Sequence, residues 1–140
     1  MDILVVGLGT IGAIHGYLFR QAGHHVEHLI REGSAKAGIE KLEVAMLDGR
    51  IDSKGSSYTD EYPVLRCSRD SYDLVFASVP CGGIGSVVDE LSRLGIDGPI
   101  LLACGTWEDR RSIEAALRGR PHILGYPVAG GGIAGGKLTC

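Results

Sequence analysis

The 140-residue chain has little of several things, and each shortage excludes a class of function. It has no surplus of positive charge: 14 Lys and Arg face 17 Asp and Glu, a formal net charge of −3. No broad basic field is available to hold nucleic acid or an anionic membrane. Nor does it have a long apolar run; none approaches the ~20 residues of a membrane-spanning helix. The amino terminus lacks a basic stretch ahead of an apolar segment, so no secretion signal is expected and the expected location is cytoplasmic. Cysteine is sparse. Cys67, Cys81, Cys104 and Cys140 form no CxxC pair, and the five His add no zinc spacing, so no metal site is expected. These cysteines read as reduced, partly buried thiols.

What is plentiful is glycine, 22 residues, gathered at turns after strands and in the terminal cluster AGGGIAGGK. The length suits one domain with its own core, residues 1–140. Ile3-Leu4-Val5-Val6 is an apolar run of the kind buried on both faces of a parallel sheet. Ile11, Ile14, Leu18 and Phe19 follow at helical spacing, Gly23 ends that helix, and Val26–Ile30 reads as a second strand. Together these make a βαβ unit. Lys41–Leu47 and Tyr58–Leu65, with an Asp48-Gly49 turn, suggest extra strands or a hairpin. Further strands are expected at Leu74–Val79, Pro99–Cys104 and His122–Val128, with helices from Ile84 to Leu94 and from Glu108 to Leu117. Strands alternating with helices predict an α/β fold: a doubly wound, Rossmann-type parallel sheet in a three-layer α/β/α single domain. No internal repeat or linker is visible.

Residues 5–12 read VVGLGTIG, a GxGxxG pattern that follows a buried strand and opens a helix inside a βαβ unit. Gly7 permits the tight turn, Gly9 leaves room for a pyrophosphate beside the backbone, and Gly12 lets helix and strand pack closely. Leu8, Thr10 and Ile11 complete the cofactor-binding loop. The bland alternative is a glycine turn with no nucleotide. About 20 residues further on, an NAD site places an acid to bond the ribose 2′-hydroxyl. Here the position falls on or beside Arg31, whose guanidinium suits a 2′-phosphate, so NADP(H) is favoured over NAD(H). Glu32, one residue on, would reverse that reading, and a solvated loop arginine is the plain alternative.

Val79-Pro80 and Cys104-Gly105-Thr106 close two core strands at the edge where ligands bind in such sheets. Val79, Pro80, Cys104 and Gly105 either flank the nicotinamide ribose or merely form tight turns. Near the end, Ala134-Gly135-Gly136-Lys137 reads as a hairpin turn and Leu138-Thr139-Cys140 as the start of a returning strand. That ending is expected to be a domain edge, the alternative being a naturally short protein.

The stretch MDILVVGLGTIGAIHG with Arg31, then PILLACGTWEDRRSIEAAL and HILGYPVAGGGIAGGKL, resembles the N-terminal domain of the ketopantoate reductase family. The resemblance follows the order of elements along nearly the whole chain. It implies NADPH-dependent reduction of a 2-oxo acid to a 2-hydroxy acid. It also implies that the proton-donating lysine and much of the substrate pocket belong to a helical C-terminal domain absent from these residues. Two positions depart from the family pattern: Pro80 stands where the family has a lysine, and Cys104 where it has an asparagine.

Hydride transfer to a carbonyl also needs an acid for the forming alkoxide. No catalytic residue is identified. His15, on the first helix, reads as a packing or surface group, His24 and His25 as solvated turn residues, and Cys81 and Cys104 as small apolar filler. Three readings follow. The first is the NADP(H) domain of an oxidoreductase, incomplete for catalysis by itself. The second is a stand-alone NADP(H)-binding or sensing module. The third is a fold serving only as an interaction partner. The expected partners are NADP(H), a small 2-oxo acid if a second domain is supplied, and a second copy in a homodimer, through an apolar face left where a domain would pack.

Overall fold

The computed structural model describes residues 1–48, 56–80, 82–105 and 109–140. In chain order its elements are β1 (Asp2–Val6), α1 (Thr10–Gln21), β2 (His25–Leu29), β3 (Lys41–Asp48), β4 (Ser56–Pro63), β5 (Leu74–Ala77), α2 (Ile84–Arg93), β6 (Ile100–Ala103), α3 (Arg110–Leu117), β7 (His122–Gly125), β8 (Gly132–Ala134) and β9 (Lys137–Thr139). Five strands form a parallel sheet in the order β2-β1-β5-β6-β7, the expected Rossmann-type core. Alternation along β1 divides its side chains between two layers. Leu4 packs with Val75, Ile100 and Leu102 beneath Val88, Leu91, Ile113 and Leu117 of α2 and α3. Ile3 and Val5 face the other way, with Val26 and Phe76, toward Ile11 and Phe19 of α1.

Several strands are shorter than the apolar runs suggest, for a common reason. β1 turns away at Gly7 (φ 84), so β5 has no partner there beyond Ala77, which pairs with Val6. β7 ends at Gly125, opposite Ala103, and Tyr126–Val128 run on outside the ladder. β2 is shifted by one residue to His25–Leu29, its register set by Asp2 opposite His25. Helix α3 begins at Arg110, because Asp109 caps it by accepting the Arg111 N–H at 2.6 Å. The expected start at Glu108 lies outside the described residues.

The extra strands form a second sheet, β4-β3-β9-β8. β3 and β4 pair antiparallel from Lys41–Pro63 to Asp48–Ser56; the expected turn at Gly49 lies outside the described residues. The terminal hairpin is present, turned by Gly135 and Gly136 at φ 55 and 78, and β9 adds to β3 in parallel. This sheet covers the outer side of α1, where Leu42, Val44, Tyr62 and Leu138 pack on Ala13, Ile14 and Tyr17. A fourth layer therefore lies on the expected three, and α1 is enclosed between two sheets.

Enclosure on both sides demands small residues. A Cβ on Gly12 would stand 3.1 Å from Val5 Cγ1, and one on Gly16 would stand 2.5 Å from the Tyr62 hydroxyl and 3.2 Å from His28 Nε2. His28 and Tyr62 are fully buried and joined to each other at 2.7 Å, while His28 Nδ1 reaches the Gly7 carbonyl at 2.8 Å. A carbonyl only accepts, so Nδ1 carries the proton, and Nε2 accepts from the tyrosine hydroxyl. Burial holds the imidazole neutral, with its pKa lowered from 6.5 to about 4. Beside it in β2, buried Glu27 would be raised by burial. Hydrogen bonds from Tyr72, His25 and Ser68 outweigh this and hold it at about 2.

Alanine ordinarily improves on glycine within a helix by about 1 kcal/mol. Gly16→Ala is instead expected to destabilise by about 1–3 kcal/mol through overpacking. Adding Tyr62→Phe should recover part of the loss in chemical denaturation. The buried imidazole also sets a pH dependence. Between its folded value of about 4 and its ordinary 6.5, the unfolded chain binds the extra proton. Stability is thus full above pH ~6.5 and declines as pH falls toward ~4. Thermal midpoints should follow that slope, and His28→Asn should flatten it, leaving the Glu27 loss that begins below pH ~4.5.

Candidate functional site

The turn from β1 into α1 borders a cleft of about 430 Å³ at the carboxyl edge of the sheet. Val6, Gly7, Leu8 and Gly9 form one wall, Leu29, Ile30 and Arg31 from the end of β2 another, and Val79, Pro80 and Glu90 a third. This is the point where the strand order changes direction between β1 and β5, the usual ligand crevice of doubly wound sheets. Gly7 takes the positive φ of the tight turn, and a Cβ on Gly9 would meet nothing within 4 Å. Gly9 (φ −72, ψ 168) precedes α1 without a side-chain cap, so the first-turn N–H groups are left for a ligand or solvent.

Carbonyl oxygens in such a loop would repel an anion, and two of them are already engaged. His28 Nδ1 donates to Gly7 O, and Lys36 Nζ donates to Leu8 O at 2.7 Å. Gly7 N–H is bound to Leu29 O at 2.7 Å, which ties the turn to β2. Lys36 and Ser34 line the cleft, yet they lie in an irregular stretch with no motif to single them out. His28 carries no sequence signal either, since a histidine within a strand reads as polar.

The residues predicted from the sequence divide into three groups. Gly7, Leu8, Gly9, Arg31, Val79 and Pro80 come together around the cleft. The Leu8 side chain is buried in the layer between α1 and the second sheet, so only its backbone faces the cleft. Thr10, Ile11 and Gly12 start α1 behind the loop; Ile11 packs toward Phe76 and its carbonyl meets His15 Nδ1 at 2.9 Å. Cys104 and Gly105 lie outside the cleft lining. Cys104 is half-buried against the α2–α3 layer, and Gly105 leaves room for the Tyr126 ring, 3.1 Å from where its Cβ would be.

Arg31 is exposed and borders a second hollow of about 360 Å³ outside the end of β2, together with Glu32, Arg66, Arg69 and Arg93. Arg66 donates to the Ala37 carbonyl, Arg69 to Asp2 at 2.9 Å, and Arg93 to Glu90 at 2.7 Å. Hydrogen bonding from Arg93 holds the Glu90 carboxyl below its ordinary range. Glu32 borders only the outer hollow, whereas Arg31 borders both.

His15 stacks on Phe76, with ring centroids 4.8 Å apart, and packs as expected rather than facing the cleft. His25 is exposed, as expected, but it begins β2 rather than lying in a turn, and its Nε2 lies 3.0 Å from Glu27 Oε1. Cys81 lies outside the described residues. Among the described lining residues the charged side chains are Arg31, Lys36 and Glu90, and Lys36 Nζ is engaged by the Leu8 carbonyl. Among the described residues, no helix is long and apolar enough to cross a membrane, and no cluster of metal-ligating side chains occurs.

Comparison with known proteins agrees with this fold. No curated protein matches by sequence. Of the solved structures, a 2-dehydropantoate 2-reductase from Methylococcus capsulatus is 21% identical with a TM-score of 0.68. One from Geobacter metallireducens is 19% identical with a TM-score of 0.69. A dimeric ketopantoate reductase from Staphylococcus aureus is 14% identical with a TM-score of 0.70. Each match covers 99% of this chain but only 43% to 46% of the other, so the chain spans less than half the length of these structures. At such identities the likeness concerns the fold. The sequence itself matches the ketopantoate reductase PanE/ApbA family over residues 3–136, and with that match the chain belongs to the ketopantoate reductase family.

Proposed function

We propose that the chain is the NADP(H)-binding domain of a ketopantoate-reductase-like oxidoreductase that reduces a 2-oxo acid to a 2-hydroxy acid. One arrangement carries the reading: a glycine turn whose Gly7 and Leu8 carbonyls are engaged by His28 and Lys36 opens on the uncapped start of α1, with Arg31 across the same cleft. The backbone of Leu8 and Gly9 and the first turn of α1 would hold the pyrophosphate. Arg31 would hold the 2′-phosphate; its place on the inner cleft, with Glu32 confined to the outer hollow, favours the phosphorylated cofactor. When bound, NADPH supplies a hydride to the 2-oxo carbon. The role of this chain is to orient the cofactor, with Val79 and Pro80 walling the cleft beyond the glycine turn.

The acid that protonates the alkoxide would come from outside the described cleft, on a further body of the enzyme. An exposed apolar strip supports that division: Ile123, Leu124, Tyr126 and Val128 lie open along and just beyond the edge strand β7. A second body, or a second copy of the chain, would cover it. With the Lys36 ammonium already engaged by the Leu8 carbonyl, a second reading is a module that binds NADP(H) without reducing anything. Following NADPH absorbance with ketopantoate present separates the two: consumption by an assembled enzyme containing this domain supports the reductase, and binding without turnover supports the module.

Titration with NADPH and NADH, followed by cofactor fluorescence, tests the binding reading directly. NADPH should bind more tightly. Arg31→Ala should weaken NADPH by about 10- to 100-fold, the worth of a charge-assisted hydrogen bond, and change NADH little. Gly9→Ala should fold as the parent does, because its backbone is ordinary and its Cβ meets no protein atom, yet weaken both cofactors alike. Absence of binding at millimolar cofactor would remove the reading.

A further inference from the structure

His28 lies at the base of the glycine turn, fully buried, and its two ring nitrogens join groups far apart in the chain. Nδ1 donates to the carbonyl of Gly7 at 2.8 Å, and Nε2 accepts from the Tyr62 hydroxyl of β4 at 2.7 Å. Tyr62 is itself fully buried, and Gly16 of α1 leaves the space in which the pair meets. The ladder explains why Gly7 needs such a partner. β1 pairs with β2 only as far as Val6 opposite Leu29, and the positive φ of Gly7 then turns the chain out of the sheet. An aliphatic residue at position 28 would pack in the strand but could not bond that carbonyl.

Peptide geometry converts this bond into an orientation. In a planar trans peptide the C=O and N–H point in opposite directions, and no described peptide bond is cis. Holding Gly7 O toward His28 therefore turns the Leu8 N–H away from the core. Lys36, on Leu8 O at 2.7 Å, fixes the next peptide, whose Gly9 N–H points away from the ammonium. We propose that His28 is a positioning residue for the dinucleotide: clamped by Tyr62 of the second sheet, it fixes the Gly7–Leu8 peptide so that the Leu8 N–H is presented to the pyrophosphate. The second sheet thereby acts on cofactor affinity without touching the cofactor. This rests on the proposed function, and the experiment is arranged so that the two can fail separately.

The measurement is the NADPH dissociation constant of the folded chain for His28→Leu, His28→Asn, Tyr62→Phe and Leu138→Ala, alongside thermal midpoints. In parallel, inorganic pyrophosphate is titrated while the amide NMR signals of Leu8 and Gly9 are followed. The Asn side chain places an N–H close to where Nδ1 stood. His28→Leu should raise the dissociation constant by about 10-fold or more, the scale of one buried hydrogen bond. His28→Asn should stay within about 3-fold of the parent, although both variants lose thermal stability. Leu138→Ala, a core change in the second sheet, should lower the midpoint and leave the constant unchanged.

A purely structural role predicts equal affinity for the folded His28 variants, and that result overturns the proposal. So does an Asn variant as weak as the Leu variant. Should His28→Leu not fold, Tyr62→Phe decides: a severalfold weaker NADPH supports the clamp, and an unchanged constant overturns it. If the parent binds pyrophosphate but not NADPH, the proposed function falls and the pyrophosphate titrations judge His28 by the same criteria. If the parent binds neither, both readings fall.

Discussion

Helix α1 can lie close against β1 only because Gly12 has no side chain, and the rest of the structure depends on that approach. The place where a Cβ would stand is 3.1 Å from Val5 Cγ1. The approach brings the start of the helix to the end of the central strand, where an anion can meet both the turn and the helix dipole. The opposite side of the same helix is covered by the second sheet, and Gly16 makes that contact possible by leaving room for Tyr62 and His28. Two glycines on one helix thus set the spacing of three layers. The cleft opens at the glycine turn ahead of that helix, between the ends of β1 and β2 and the start of α2.

The cleft gathers local positive charge in Arg31 and Lys36 although the chain as a whole is acidic, at −3. His28 and Lys36 engage two loop carbonyls, and Arg31 borders the cleft at the end of β2. The opposing carboxylate, Glu90, is engaged by Arg93 rather than left to bind Arg31. Local arrangement and not overall charge decides what such a site accepts, because backbone dipoles act over a few ångströms and salt screens more distant charges within about 8 Å. The proposed NADP(H) reading draws on both family membership and cleft geometry.

Much of this was legible from residue order. The glycine spacing after an apolar strand announced the turn, and Gly7 and Gly12 occupy the conformations and contacts that the pattern implies. The parallel core followed from strands alternating with helices. Element ends were less legible, since they depend on whether a neighbouring strand is still present to pair with: Val79 and Val128 look like strand residues but have outrun their partners. Cys104 and Gly105 show the same limit. Their position at a strand end suggested the cofactor cleft, yet they sit at the end of β6, beyond the residues that line it.

By itself the sequence determined the βαβ unit, its glycine turn, the arginine that follows and the terminal hairpin, because each rests on neighbours within about 30 residues whose chemistry forces the local conformation. Only the tertiary structure decided that residues 41–48, 56–63 and 132–139 join in one sheet, and that this sheet covers α1. It alone joined His28 and Lys36 to the loop carbonyls and Tyr62 to His28. Those contacts join residues 21 to 34 positions apart that share no periodicity. Their partners are backbone carbonyls and a buried hydroxyl, groups that no sequence pattern marks, and burial makes pairing them obligatory.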